Sequence, residues 1–193
     1  MLKIGITGGI GSGKTTICRI FESLFVPVFN ADDVAKKIML TDTNLVEAIK
    51  VQFGREAYFA SGELNRKFLS GIVFNDSRAL QKLNELVHPA VIQAFDDWAV
   101  IQNNPYCLHE AAILFESGAY KSCDYSILVY APEELRINRV KRRDGHSETE
   151  IRARMDKQMP EEEKEKLADF VIINDESTAV IPQVLKIHNR FSK

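Results

Sequence analysis

The stretch Leu-Lys-Ile-Gly-Ile-Thr-Gly-Gly-Ile-Gly-Ser-Gly-Lys-Thr-Thr, residues 2–16, decides how this chain is read. A short apolar run, Leu2–Thr7, leads into a glycine-rich loop, then Lys14 and Thr15, and an apolar-periodic stretch follows from Ile17 to Phe25. Strand, loop and helix in that order, with G-x-x-x-x-G-K-[ST] spacing over Gly8–Thr15, make a cradle for nucleotide phosphates. Loop glycines let backbone N–H groups turn toward phosphate oxygens that a side chain would hold away. The helix beginning beside Gly13 adds the positive end of its dipole. Gly9, Gly11, Ser12, Gly13, Lys14, Thr15 and Thr16 are the expected phosphate-binding residues. Lys14 reaches the β- and γ-phosphates, and the Thr15 hydroxyl ligates Mg²⁺.

Composition narrows what such a loop can serve. The 193 residues suffice for one domain with a substantial core. A hydrophobic content of 45% and a charged content of 27% are those of a soluble globular chain. The net charge of −2 gives no footprint for nucleic acid. No apolar run approaches the ~18 residues of a membrane span. The chain enters its first strand at once, so no signal peptide is expected and the location is read as cytoplasmic. Cys18, Cys107 and Cys123 are scattered and odd in number, and read as free thiols. His88, His109, His146 and His188 lack metal-ligand spacing, and no structural zinc is expected.

Five apolar runs read as buried strands: Leu2–Thr7, Val26–Asn30, Tyr106–Ala111, Tyr125–Tyr130 and Phe170–Ile173. They lack polar alternation, as parallel strands covered on both faces do. Helical patterns separate them, so the expected fold is α/β with a five-stranded parallel sheet and helices on both faces. The connection over residues 31–104 is far longer than the others and reads as an inserted helical region. It contains a helix from Ser77 to about Gln102, with a break expected near Pro89. A second, charge-dense insertion covers 132–166 and includes a helix start at Pro160-Glu161-Glu162-Glu163.

Carboxylates stand where two strands end: Asp32 and Asp33 after the second, Glu110 at the third. Phosphoryl transfer needs a group to take the acceptor hydroxyl's proton and carboxylates to hold Mg²⁺. One of Asp32 and Asp33 is also expected to cap a helix running from Val34 to Leu40. Glu110 reads either as a metal ligand or as a solvated strand end. Arg136, Arg139 and Arg143 recur at i, i+3 and i+7, one face of a helix suited to gripping phosphates. That helix reads as part of a lid that closes over a triphosphate and excludes water. A GTPase would carry N-K-x-D and D-x-x-G, and neither occurs in the chain. A kinase of a small hydroxyl compound is the better reading, with a non-catalytic nucleotide-binding module as the alternative class.

Taken in order, the motifs resemble the dephospho-CoA kinase family nearly end to end. Ile6–Thr16 is similar to that family's opening, and Asn30-Ala31-Asp32 resembles its D-A-D. Phe53-Gly54, Gly62–Arg66 and Val73-Phe74 resemble its F-G, G-x-L-D-R and V-F elements. His88-Pro89, Ile113–Glu116, the Arg139…Arg143-Asp144 pattern, Gln158, Ala168-Asp169 and Asn174 resemble its H-P, L-L-F-E, R-x-x-x-R-D, lid glutamine and A-D…I-x-N close. The resemblance implies one domain over 1–193 of P-loop kinase type. Its core is 1–30, 105–131 and 167–193, with an acceptor-binding insertion at 31–104 and a lid at 132–166. It implies transfer of phosphate from ATP, with Mg²⁺, to the ribose 3′-hydroxyl of 3′-dephospho-CoA, by a monomer or weak homo-oligomer. It implies Asp32 as base, Lys14 and Arg139 as catalytic charges, and ATP contacts from Arg139, Arg143 and Asn174. Acceptor contacts fall to Asp32, Arg66, His88, Phe115 and Glu116, and metal contacts to Thr15 and Glu110. The chain departs from the pattern where Asn30, Asn65 and Glu110 each stand in place of the family's Asp, and Ala112 in place of its Pro. The alternative is a kinase of another small hydroxyl compound, such as a nucleoside, nucleotide or sugar acid.

Overall fold

Leu2–Thr7 forms β1, and its inner residues are buried, as the unbroken apolar run requires of a central strand. The structure, a computed structural model, describes residues 1–192. The chain continues through α1 (Lys14–Ser23), β2 (Val28–Asn30), α2 (Ala31–Thr41), α3 (Thr43–Phe53), α4 (Arg66–Val73) and α5 (Ser77–Val100). It then forms β3 (Tyr106–Glu110), β4 (Tyr125–Tyr130), α6 (Glu133–Asp144), α7 (Glu148–Met155), α8 (Glu161–Leu167), β5 (Phe170–Ile173) and α9 (Val180–Phe191). The strands make one five-stranded sheet in the order β2-β3-β1-β4-β5, every pair parallel. This is the α/β architecture expected from the sequence.

The chain divides into two compact units. The first comprises residues 1–30 and the chain from Trp98 onward. Ile4 and Ile6 of β1 pack with Ile17, Cys18 and Phe21 of α1 and with Val184, Ile187 and Phe191 of α9. Gly5 meets Leu114, and a Cβ there would stand 2.6 Å from its Cδ2. Gly13 has φ of 87°, open to glycine and strained for other residues, and lets the chain turn from loop into α1. β2 starts at Val28 rather than Val26, since Pro27 has no N–H for the ladder; its carbonyl accepts from Leu108 N at 2.8 Å. α1 stops at Ser23, and Phe25 takes a left-handed turn with φ of 61°.

The second unit is Ala31–Asp97, so the division falls inside α5 rather than after it. Asp42 caps α3, its side chain accepting from Asn44 N and Leu45 N. Asn65 caps α4 by accepting from Phe68 N at 3.2 Å. The Tyr58 hydroxyl donates to the Met39 carbonyl at 2.7 Å and ties α2 to the turn before α4. α5 runs unbroken through Pro89, contrary to the expected break. Val87, Val91 and Phe95, spaced every fourth residue, are buried and keep the helix in register across the missing donor. Asp32 and Asp33 do not precede their helix. α2 begins at Ala31, directly after β2, and both acids lie in its first turn, where the helix dipole favours them.

Candidate active site

The loop from Gly8 to Gly13 leaves β1 and enters α1 with no side chain capping the helix. No side chain therefore competes with an anion for the N-terminal end of α1. A Cβ at Gly9 would collide with the Arg136 guanidinium and the Glu161 carboxylate, and a Cβ at Gly13 with the Asn174 amide. Glycine at positions 9 and 13 is therefore enforced by neighbours that press on the loop from outside. Ser12 is buried, and its Oγ has no hydrogen-bond partner in the protein. Such an orphaned hydroxyl beside a helix N-terminus fits a loop built to hold phosphate oxygens.

Register brings the carboxylate of β3 to this loop. Glu110 pairs with Ile6 on one side and with Asn30 on the other. It is buried, with Oε1 at 3.7 Å from Lys14 Nζ and 3.4 Å from Thr15 Oγ1. Its Oε2 accepts from Asn30 Nδ2 at 2.6 Å. Glu110 is thus neither solvated nor alone: Lys14, Thr15 and Asn30 converge on its one carboxylate. No group of three His, Cys, Asp or Glu side chains able to hold a metal occurs among the described residues. One carboxylate and one hydroxyl fit a Mg²⁺ ion that keeps water and phosphate oxygens in its shell, not a metal caged by protein alone. Thr16 lies exposed in the first turn of α1, its N–H bonded to the Gly13 carbonyl at 2.9 Å.

The three arginines of α6 separate. Arg139 donates from Nη1 to the Gly11 and Ser12 carbonyls at 3.4 Å each, and from Nη2 to the Asn174 carbonyl at 3.0 Å. Glu176, at a left-handed φ of 68°, accepts from its Nη2 at 3.2 Å. Asn174 donates from Nδ2 to the Ser12 carbonyl at 2.7 Å, which braces the loop from the end of β5. Arg136 is buried, 3.6 Å from Glu161. Burial raises the Glu161 pKa, and the Arg136 charge pulls against that rise. Arg143, predicted to grip ATP, is exposed and forked onto the neighbouring Asp144 at 2.7 and 2.8 Å.

Sequence alone does not find the ties of the 132–166 segment. Gln158 Oε1 accepts from Ile10 N at the loop's tip, at 2.9 Å. Glu116, predicted to touch the acceptor, accepts from Met159 N at 2.9 Å and lies 3.2 Å from the fully buried Lys164 Nζ. Phe115 is buried with its ring against Tyr120. In the second unit, Asp32 and Arg66 are exposed and His88 is half-buried, its pKa lowered by burial.

A family model described as dephospho-CoA kinase matches residues 2–179. The chain belongs to the dephospho-CoA kinase family. A dephospho-CoA kinase of Bacteroides fragilis is 40% identical over 190 residues, covering 96% of this chain and 91% of that protein. A crystal structure from Thermus thermophilus superposes with a TM-score of 0.85 at 35% identity, covering 98% of this chain and 96% of that one. A dephospho-CoA kinase from Campylobacter jejuni gives 0.71 at 30% identity, with coverage of 98% and 96%. The chain is therefore a nucleotide-using kinase of coenzyme A biosynthesis, acting on a small molecule. No helix among the described residues is long and apolar enough to cross a membrane.

Proposed function

We propose that this kinase transfers the γ-phosphoryl group of ATP to the ribose 3′-hydroxyl of 3′-dephospho-CoA, with Mg²⁺, in the cytoplasm. The observation that carries the mechanism is the convergence of Lys14, Thr15 and Asn30 on the buried carboxylate of Glu110, beside an uncapped helix N-terminus. The loop Gly8–Gly13 and Lys14 hold the β- and γ-phosphates. Thr15 and Glu110 would hold Mg²⁺, which would supply positive charge against the triphosphate. Asp32 accepts a hydrogen bond from the 3′-hydroxyl and takes its proton. The freed oxygen bonds to the γ-phosphorus as the bond to the β–γ bridging oxygen breaks, and ADP leaves. Transfer through a loose transition state leaves positioning and charge as the protein's main levers. Lys14 and Arg139 supply that charge, with Arg143 and Asn174 completing the ATP side. Arg66, His88, Phe115 and Glu116 serve the acceptor. The reading assigns the core to 1–30, 105–131 and 167–193, the acceptor-binding insertion to 31–104 and the lid to 132–166, in a chain that works as a monomer or weak homo-oligomer.

The test is ADP release with Mg²⁺ and ATP across a panel of acceptors. 3′-Dephospho-CoA should turn over far faster than nucleosides, nucleoside monophosphates or sugar acids, and the product should co-elute with coenzyme A. A nucleoside or sugar acid that turned over faster would replace this acceptor.

A further inference from the structure

Asn30 and Glu110 are a cross-strand pair at the mouth of the sheet, and both depart from the Asp that the family resemblance places there. The structure shows how the two departures fit each other. Glu110 is one methylene longer than Asp and reaches past the strand end, where its two oxygens are given different neighbours. Oε2 is taken by the Asn30 amide at 2.6 Å. Oε1 faces Thr15 Oγ1 at 3.4 Å and Lys14 Nζ at 3.7 Å. An Asp at position 30 would set a second carboxylate against Oε2, and two such charges repel unless a proton or cation sits between them. Asn keeps the shape, donates a hydrogen bond, and leaves one negative charge for the Lys14 ammonium to balance.

We propose that Asn30 is a positioning residue that sets the cation preference of the site, by holding Glu110 Oε2 so that only Oε1 faces the metal. This deepens the reading of Glu110 as a Mg²⁺ ligand and rests on it. A carboxylate with both oxygens free can chelate a large ion. Ca²⁺ accepts such bidentate ligation at about 2.3–2.6 Å, whereas Mg²⁺ takes single oxygens in a strict octahedron at about 2.0–2.1 Å. A carboxylate pinned through one oxygen serves the second ion and handicaps the first. Hydrogen-bond partners of metal ligands commonly govern metal affinity in this way.

The test needs no turnover and no acceptor. Binding of adenylyl methylenediphosphonate is measured by calorimetry as its Mg²⁺ and Ca²⁺ complexes. Wild type should prefer the Mg²⁺ form. Asn30→Leu, nearly isosteric and without a donor, and Asn30→Ala, smaller still, should each cut that preference by about tenfold, the low end of effects seen for such partners. Circular dichroism identifies the folded variant to be read. Equal affinity of wild type for the two complexes overturns the proposal, and so does a preference that stays within twofold of wild type in a folded variant. Glu110→Gln separates the two layers. If it binds the Mg²⁺ complex as wild type does, the metal role of Glu110 fails and the role of Asn30 falls with it. If it weakens that complex while Asn30→Leu and Asn30→Ala leave the preference unchanged, only the role of Asn30 fails.

Discussion

Asp32 and Asp33 are adjacent acids in the first turn of α2, and one substitution each tells them apart. Asp33 is paired with Lys36 at 2.7 Å, a surface contact on its own helix. Asn is nearly isosteric with Asp and cannot take a proton. Asp32→Asn should fold normally and lose about 10²–10⁴-fold in kcat, the range for a general base, with a much smaller change in KM for dephospho-CoA. Asp33→Asn should lose far less. Steady-state kinetics on both variants checks this, and equal losses would remove Asp32 from the role of base. His88 gives a second readout. Burial lowers its pKa below the ordinary 6.5, so the folded protein binds fewer protons there than the unfolded chain. Its contribution is complete above that value and shrinks as pH falls through it. Thermal midpoints should drop between pH 7 and 5 in wild type and drop less in His88→Gln. At this scale the loop residues were legible, because backbone geometry asks for the glycines and phosphate and metal chemistry for the Lys and Thr that follow. The work done by Asn65 was legible only in part. The amide caps α4 as Asp would, which explains why the departure leaves the local fold intact.

An element can carry several duties on one face, and α6 separates them by depth. Spacing placed Arg136, Arg139 and Arg143 together, but it could not say which meets the loop. Their partners Glu161 and Glu176 come from distant segments, and no local pattern announces such pairs. Burial orders the consequences. Arg136 and Glu161 form a buried pair, and removing one partner of such a pair costs about 3–5 kcal/mol. Arg136→Ala should therefore show a clear fall in unfolding midpoint. Arg139→Ala should keep most stability and lose turnover, since its guanidinium touches the loop carbonyls and the proposed mechanism sets it against the triphosphate charge. Arg143→Ala should leave stability near wild type, because its exposed pairing with Asp144 is worth little. Thermal denaturation and kinetics on the three variants check this ordering. A loss of stability largest in Arg143→Ala would contradict it. The unbroken course of α5 teaches the same lesson. A proline at position 89 signals a break locally, but a buried stripe every fourth residue outweighs one missing hydrogen bond.

For the chain as a whole, chemistry and fold part company at the C-terminus. The family match ends at residue 179, and α9 starts at Val180. This last helix nevertheless completes the core built on the first strand. Phe191 is buried among Tyr106, Tyr125 and Phe170, with ring centroids 5.8, 4.9 and 5.5 Å away. The Tyr106 hydroxyl and His188 Nδ1 lie 2.8 Å apart and tie β3 to the same helix. Val184, Ile187 and Phe191, three and four residues apart, form the buried face of α9, a helix that the sequence motifs did not single out and whose seat in the core required the sheet order. The helix should then be necessary for stability and neutral for chemistry. Truncating a buried Phe to Ala costs about 3–5 kcal/mol. Each kcal/mol moves the midpoint by about 2–4 °C in a chain of this size, so Phe191→Ala should lower it by about 10 °C. At temperatures where the variant remains folded, kcat and both KM values should match wild type within about twofold, since no residue of α9 is placed at the loop, at Glu110 or at Asp32. Differential scanning calorimetry paired with kinetics at low temperature decides it: a midpoint unchanged by the substitution would mean that α9 is not part of the cooperative core, and a fall in kcat in the folded variant would mean that the helix acts on the phosphate loop through α1.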